Sequence, residues 1–147
     1  MLSAVRETVS SDVHLMLNFG CPAYLTPGWT AKDAVRIAGI AEKYDICFLE
    51  EALKPDDVDG FAALTARANI KIATGESLTT LTEFQRFIDH RALDVIQPYA
   101  QQIGITQFSE SPTAPSRRAS FTSRTAHGRR WLSPHTSRCS AGRPTAS

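Results

Sequence analysis

Short apolar runs alternate with amphipathic helical segments over the first two thirds of this chain, and that alternation restricts the fold more than any other feature. The runs are Val13-His14-Leu15-Met16-Leu17, Ile46-Cys47-Phe48-Leu49, Ile70-Lys71-Ile72-Ala73 and Leu93-Asp94-Val95-Ile96. Each has the length of a buried strand. Gly20, Pro22, Pro27 and Gly28 mark a loop after the first run, and Pro98 stops the last. Thr30 then opens a helix with Asp33 as its capping-box partner, and Ala34, Val35, Ile37, Ala38 and Ala41 give it an apolar face through about Tyr44. Pro55 with Asp56 or Asp57 opens a second helix, whose buried face is Val58, Phe61, Leu64 and Ala68. Thr80 and Glu83 cap a third, striped by Leu81, Phe84, Phe87 and Ile88. A further helical segment covers residues 3–10. Parallel strands need crossovers of a dozen or more residues, usually helices, so this order predicts an α/β protein of about four parallel βα units.

The residues that close these runs carry the chemistry. Glu50 ends the second run, and Glu76 follows the third through Thr74-Gly75. Asn18 holds the matching place on the first. Neighbouring parallel strands bring such residues to one mouth. Carboxylate and amide oxygens there suit a hard cation such as Mg²⁺. The alternative for each is a solvated acid or a loop-starting Asn. Asp56, Asp57 and Asp59 are explained by the dipole of the helix they open. His14 and His90 read as structural, and Cys47 as a small core residue. Cys21, Cys47 and Cys139 show no metal spacing.

Composition divides the chain. Residues 1–108 hold nine basic and fourteen acidic side chains, whereas residues 109–147 hold seven Arg, no Lys and one acid, Glu110. The second part is rich in Ser, Thr, Arg and Pro, with Phe121, Trp131 and Leu132 as its apolar anchors. So little apolar surface does not offset the entropy of ordering, and disorder is expected. His127 and His135 fall there without an identifiable partner. Charge alone could draw the tail to nucleic acid, but it has no recognisable module, and no nucleic-acid partner is expected. No apolar signal core or 18-residue apolar run occurs, so the expectation is a cytoplasmic protein without a membrane partner.

Five stretches, in order, resemble the barrel domain of the enolase superfamily in its mandelate racemase/muconate lactonizing enzyme branch. They are Val5-Arg6-Glu7-Thr8-Val9; Leu15-Met16-Leu17-Asn18; Phe48-Leu49-Glu50-Glu51-Ala52-Leu53 with Pro55-Asp56-Asp57; Ala73-Thr74-Gly75-Glu76-Ser77; and Asp94-Val95-Ile96-Gln97-Pro98, running on to Ile103-Gly104-Ile105-Thr106. The Gly-Glu-Ser form is closer to the racemase and sugar-acid dehydratase side. The resemblance implies part of a TIM-like (β/α)7β barrel over residues 1–107, with a separate tail over 108–147. It implies a Mg²⁺ site in which Glu50 is the second ligand, Glu76 the third, and Asn18 stands where the first, normally Asp, belongs. The implied reaction is removal of the proton α to the carboxylate of a small substrate such as a sugar acid, by a dehydratase or racemase.

Departures from the family pattern accompany the match. The resemblance calls for a Lys-bearing strand ahead of Val13 and an N-terminal capping domain, which this sequence does not contain. Tyr99 follows Pro98 where the family places an Asp. No catalytic base is therefore assigned, and impaired or absent activity is expected, the alternative being a non-catalytic or assembly protein that keeps part of the barrel. An arc of barrel has open strand edges, which homo-oligomerisation would cover. The abrupt change near residue 107 is what a reading-frame change in a GC-rich gene would produce.

Overall fold

A computed structural model describes residues 1–26, 28–104 and 106. The expectations for residues 108–147, His127 and His135 among them, lie outside the described residues. Four parallel strands form one sheet in the order β1-β2-β3-β4. They are β1 (Leu15–Asn18), β2 (Ile46–Glu50), β3 (Lys71–Thr74) and β4 (Val95–Ile96). The expected strands are all present. The first lies slightly later than the apolar run suggests, so that His14 precedes it and Asn18 belongs to it. The helices are α1 (Leu2–Thr8), α2 (Pro22–Leu25), α3 (Ala31–Ala41), α4 (Val58–Arg67), α5 (Leu81–Asp89) and α6 (Ala100–Ile103), with a 3-10 turn at Glu42–Tyr44. Two of these, α2 and α6, are single turns in stretches without helical periodicity.

Helix starts follow the sequence closely. Thr30 with Asp33 and Thr80 with Glu83 both form complete capping boxes. Asp57 caps α4 by accepting the Gly60 amide at 2.9 Å. The Asp57 carboxylate occupies the space a Cβ at residue 60 would need, so a larger residue there would make the capping side chain shift. The predicted face of α4 is buried throughout, with Phe61 and Leu64 wholly inaccessible. Phe61 meets Phe87 of α5 edge to face, with centroids 5.4 Å apart, a favoured aromatic geometry.

The sheet has two unlike faces. Leu15, Leu17, Ile46, Leu49, Ile72 and Ile96 pack against the helices in the main core. Cys47, Phe48, Ala73 and Val95 form a smaller cluster. Asn18 pairs with Glu50, Glu50 with Ala73, and Ala73 with Val95. Paired residues share a face, so Asn18 and Glu50 stand on the side of the smaller cluster. Strict alternation from Ile46 would put Glu50 on the helix side instead. The difference comes from a bulge: Leu15 pairs with Ile46 but Leu17 with Leu49. One extra residue in β2 lets Cys47 and Phe48 both turn from the helices.

Candidate metal centre

The three candidate ligands stand at the C-terminal mouth of the sheet. Asn18 and Glu50 end adjacent strands in register. Glu76 lies just past β3, beyond Gly75. Asn18 is exposed and Glu50 half-buried, and Glu76 is also exposed. The Asn18 amide oxygen already accepts the Gly20 amide at 2.7 Å, which closes a tight loop on itself. Partial burial, then the charges of Glu51 and Glu50, raise Glu76 above its ordinary carboxylate value. The mouth is thus short of positive charge. Among the described residues no three His, Cys, Asp or Glu side chains converge as a metal cluster, consistent with two carboxylates and one neutral amide.

Gly75 sets the direction of Glu76. Its φ is +132°, and a Cβ there would lie 2.8 Å from Phe84 Cε1 and 3.2 Å from the Gln97 amide nitrogen. Only glycine combines that backbone with so close an approach. Beyond it, Glu76, Ser77, Tyr99 and Gln102 line a cleft of about 280 Å³. Tyr99 therefore borders the same cleft as the third candidate ligand.

The residue that motif reading passed over is Glu51. Its side chain is wholly inaccessible. It accepts from Cys21 Sγ at 3.0 Å, Thr74 Oγ1 at 2.8 Å and the Gly75 amide at 3.1 Å. Its backbone is in the left-handed region, with φ of 51°. Burial, the Glu51 bond and charge, and the charge of Glu76 push the Cys21 thiol up to about 12. A sequence signal existed: an acid followed by Ala52 and Leu53, both buried, sits in an apolar context. The neighbouring loop is held by Trp29, whose Nε1 donates to the Ala52 carbonyl at 2.9 Å and whose ring packs near Phe19.

A sheet of parallel βα units with acids at its C-terminal mouth defines a barrel-type α/β protein. Residues 1–111 match the family described as enolase C-terminal domain-like. The chain belongs to this family, in the mandelate racemase/muconate lactonizing enzyme branch of the enolase superfamily. It is 33% identical over 103 residues to the L-talarate/galactarate dehydratase of Salmonella typhimurium, covering 70% of this chain and 24% of that protein. It is 37% identical over 102 residues to the L-rhamnonate dehydratase of Saccharopolyspora erythraea, covering 66% of this chain and 24% of that one. A racemase from Streptomyces coelicolor, solved with bound magnesium, superposes with a TM-score of 0.68 at 30% identity, over 74% of this chain and 31% of its own. The L-talarate dehydratase of Polaromonas, solved with Mg and L-glucarate, gives 0.66 at 34% identity, over 74% and 29%. The chain thus spans about a quarter of the length of these dehydratases. Among the described residues no helix is long and apolar enough to cross a membrane.

Proposed function

We propose that residues 1–107 are a partial barrel domain that binds Mg²⁺ through Glu50 and Glu76, with Asn18 as a neutral third ligand. The observation that carries this reading is the pairing of Asn18 with Glu50 at adjacent strand ends, with Glu76 at the mouth of the next strand. Mg²⁺ is commonly held by one or two carboxylates and keeps several waters, so this donor set fits the ion. The self-bonded Asn18 oxygen makes the fit weaker than three acids would. When bound, the cation supplies stabilisation for negative charge developing on a substrate oxygen. The magnesium and sugar-acid complexes of similar proteins support a sugar acid as the substrate class, and α-proton removal in a dehydratase or racemase as the inherited reaction.

No residue of this chain is assigned as the base, so turnover by the chain alone is expected to be impaired. Calorimetric titration of Mg²⁺ into the native chain, Glu50→Gln and Glu76→Gln tests the site. Binding by the native chain and its loss in both variants supports it; negligible heat in all three removes it. Proton exchange into galactarate or talarate in D₂O tests residual chemistry. The second reading is a non-catalytic protein that retains the fold for assembly. Tyr99 in the cleft and the outward edges of β1 and β4 in the described sheet favour it, and exchange no faster than in buffer would select it.

A further inference from the structure

Three segments meet at the Glu51 carboxylate, and each adjoins a different candidate ligand. Glu51 itself follows Glu50. Cys21 lies in the loop that leaves Asn18, and its amide also donates to the Glu51 carbonyl at 2.9 Å. Thr74 and Gly75 immediately precede Glu76, and the Glu51 amide donates to the Ala73 carbonyl at 3.1 Å. A buried carboxylate needs several donors to be tolerated. Here the side chain takes three, and none comes from its own strand. Glu51 is wholly buried and is not among the residues that line the cleft beside Glu76. It is placed to hold the mouth together without reaching a substrate.

We propose that Glu51 is a positioning residue: its carboxylate clamps the Gly75 amide, the Thr74 hydroxyl and the Cys21 thiol, and so fixes Glu76 and the loop after Asn18 relative to Glu50. The clamp itself does not require the metal-site reading; its consequence for cation affinity rests on that reading. Two measurements on the full chain keep them apart. The first is hydrogen exchange at the Gly75 amide, read by NMR without metal. Glu51→Ala, confirmed folded by circular dichroism, is expected to speed this exchange at least tenfold. Glu51→Gln retains an acceptor for Thr74 and Gly75 and is expected to restore most of the protection. The second is Mn²⁺ affinity, used as a paramagnetic stand-in for Mg²⁺. It is expected to fall at least tenfold in Glu51→Ala and to recover in Glu51→Gln.

A folded Glu51→Ala with Gly75 exchange within twofold of the native chain would overturn the clamp. Faster exchange with unchanged Mn²⁺ affinity would overturn its role in placing ligands. If the native chain binds no Mn²⁺, the metal-site reading fails, and the clamp stands or falls on Gly75 exchange. Should Glu51→Ala not fold, Thr74→Val removes one of the clamp's donors. It is expected to raise Gly75 exchange severalfold, and no change there counts against the clamp.

Discussion

At the scale of single residues, the mouth has an excess of negative charge that a cation would relieve. Glu76 ionises against its partial burial first, and then against the charges of Glu51 and Glu50. Its folded value lies above the ordinary one, so the ionised form disfavours the folded state, and the penalty grows as pH rises through that window. Glu76→Gln is therefore expected to raise the metal-free melting temperature at pH 7 and low salt, while removing any further rise on adding Mg²⁺. Thermal scans with and without Mg²⁺ check both signs. Asn18→Asp adds the missing charge without losing the acceptor for Gly20, and calorimetry should show Mg²⁺ affinity rising about tenfold or more, the size of a modest charge-assisted contact. The position of Glu50 and Glu76 at the C-terminal mouth of the sheet was legible, because one closes an apolar run and the other follows one through Thr74-Gly75. Glu51 showed only its apolar context beside Ala52 and Leu53, because the sequence does not reveal that Cys21, distant in sequence, and Thr74 would supply donors to a buried carboxylate.

At the scale of elements, the helices were the most legible part. Capping boxes and apolar stripes are local patterns, and the observed caps at Thr30, Asp57 and Thr80 coincide with them. The Thr30 hydroxyl bond holds Asp33 low, and the Thr79 amide and then Thr80 hold Glu83 low. These carboxylates stabilise the fold above their ordinary values of 3.8 and 4.5. That contribution is lost as pH falls through the depressed folded values. Denaturant titrations from pH 6 to pH 2.5 should show stability falling less steeply for Asp33→Asn/Glu83→Gln than for the native chain. Replacing Thr80 by Ala should cost about 1 kcal/mol, and Phe61→Ala about 3–5 kcal/mol. The single turns α2 and α6 were not legible, since one turn has no period to detect and is held by its surroundings. The face taken by Glu50 was hidden for a different reason: the bulge in β2 resets the alternation, and a bulge depends on the partner strand.

At the scale of the whole molecule, family membership and the parallel sheet were legible from the order and spacing of five motifs. What the chain does alone was not, because the catalytic residues of a barrel enzyme come from the ends of several different strands, and local patterns in one sequence do not show which of them act together. The outer strands of this sheet, β1 and β4, each present one side without a strand partner among the described residues. Met16, 58% exposed, lies on β1. Open edges with apolar neighbours invite pairing between copies. Sedimentation velocity should show mass rising with concentration, and Met16→Lys should shift the distribution toward monomer. A distribution independent of concentration would remove self-association as the means of covering the edges.

The bulge in β2 also has a consequence for how this strand tolerates change in length. Cys47 and Phe48 together span what one residue spans on β1. Losing one codon there would leave a regular strand, with Leu49 still toward the helices and Glu50 still opposite Asn18. The same loss in β3 would carry Glu76 out of its turn, since Ala73 pairs with Val95 and Thr74 with Ile96 without a spare position. β2 therefore carries slack in its register and β3 carries none. Deletion variants should divide accordingly: a hydrogen bond from the Phe19 amide to the Glu50 carbonyl, now 2.9 Å, is expected to survive the first deletion, while the Glu51–Gly75 bond is expected to be lost in the second.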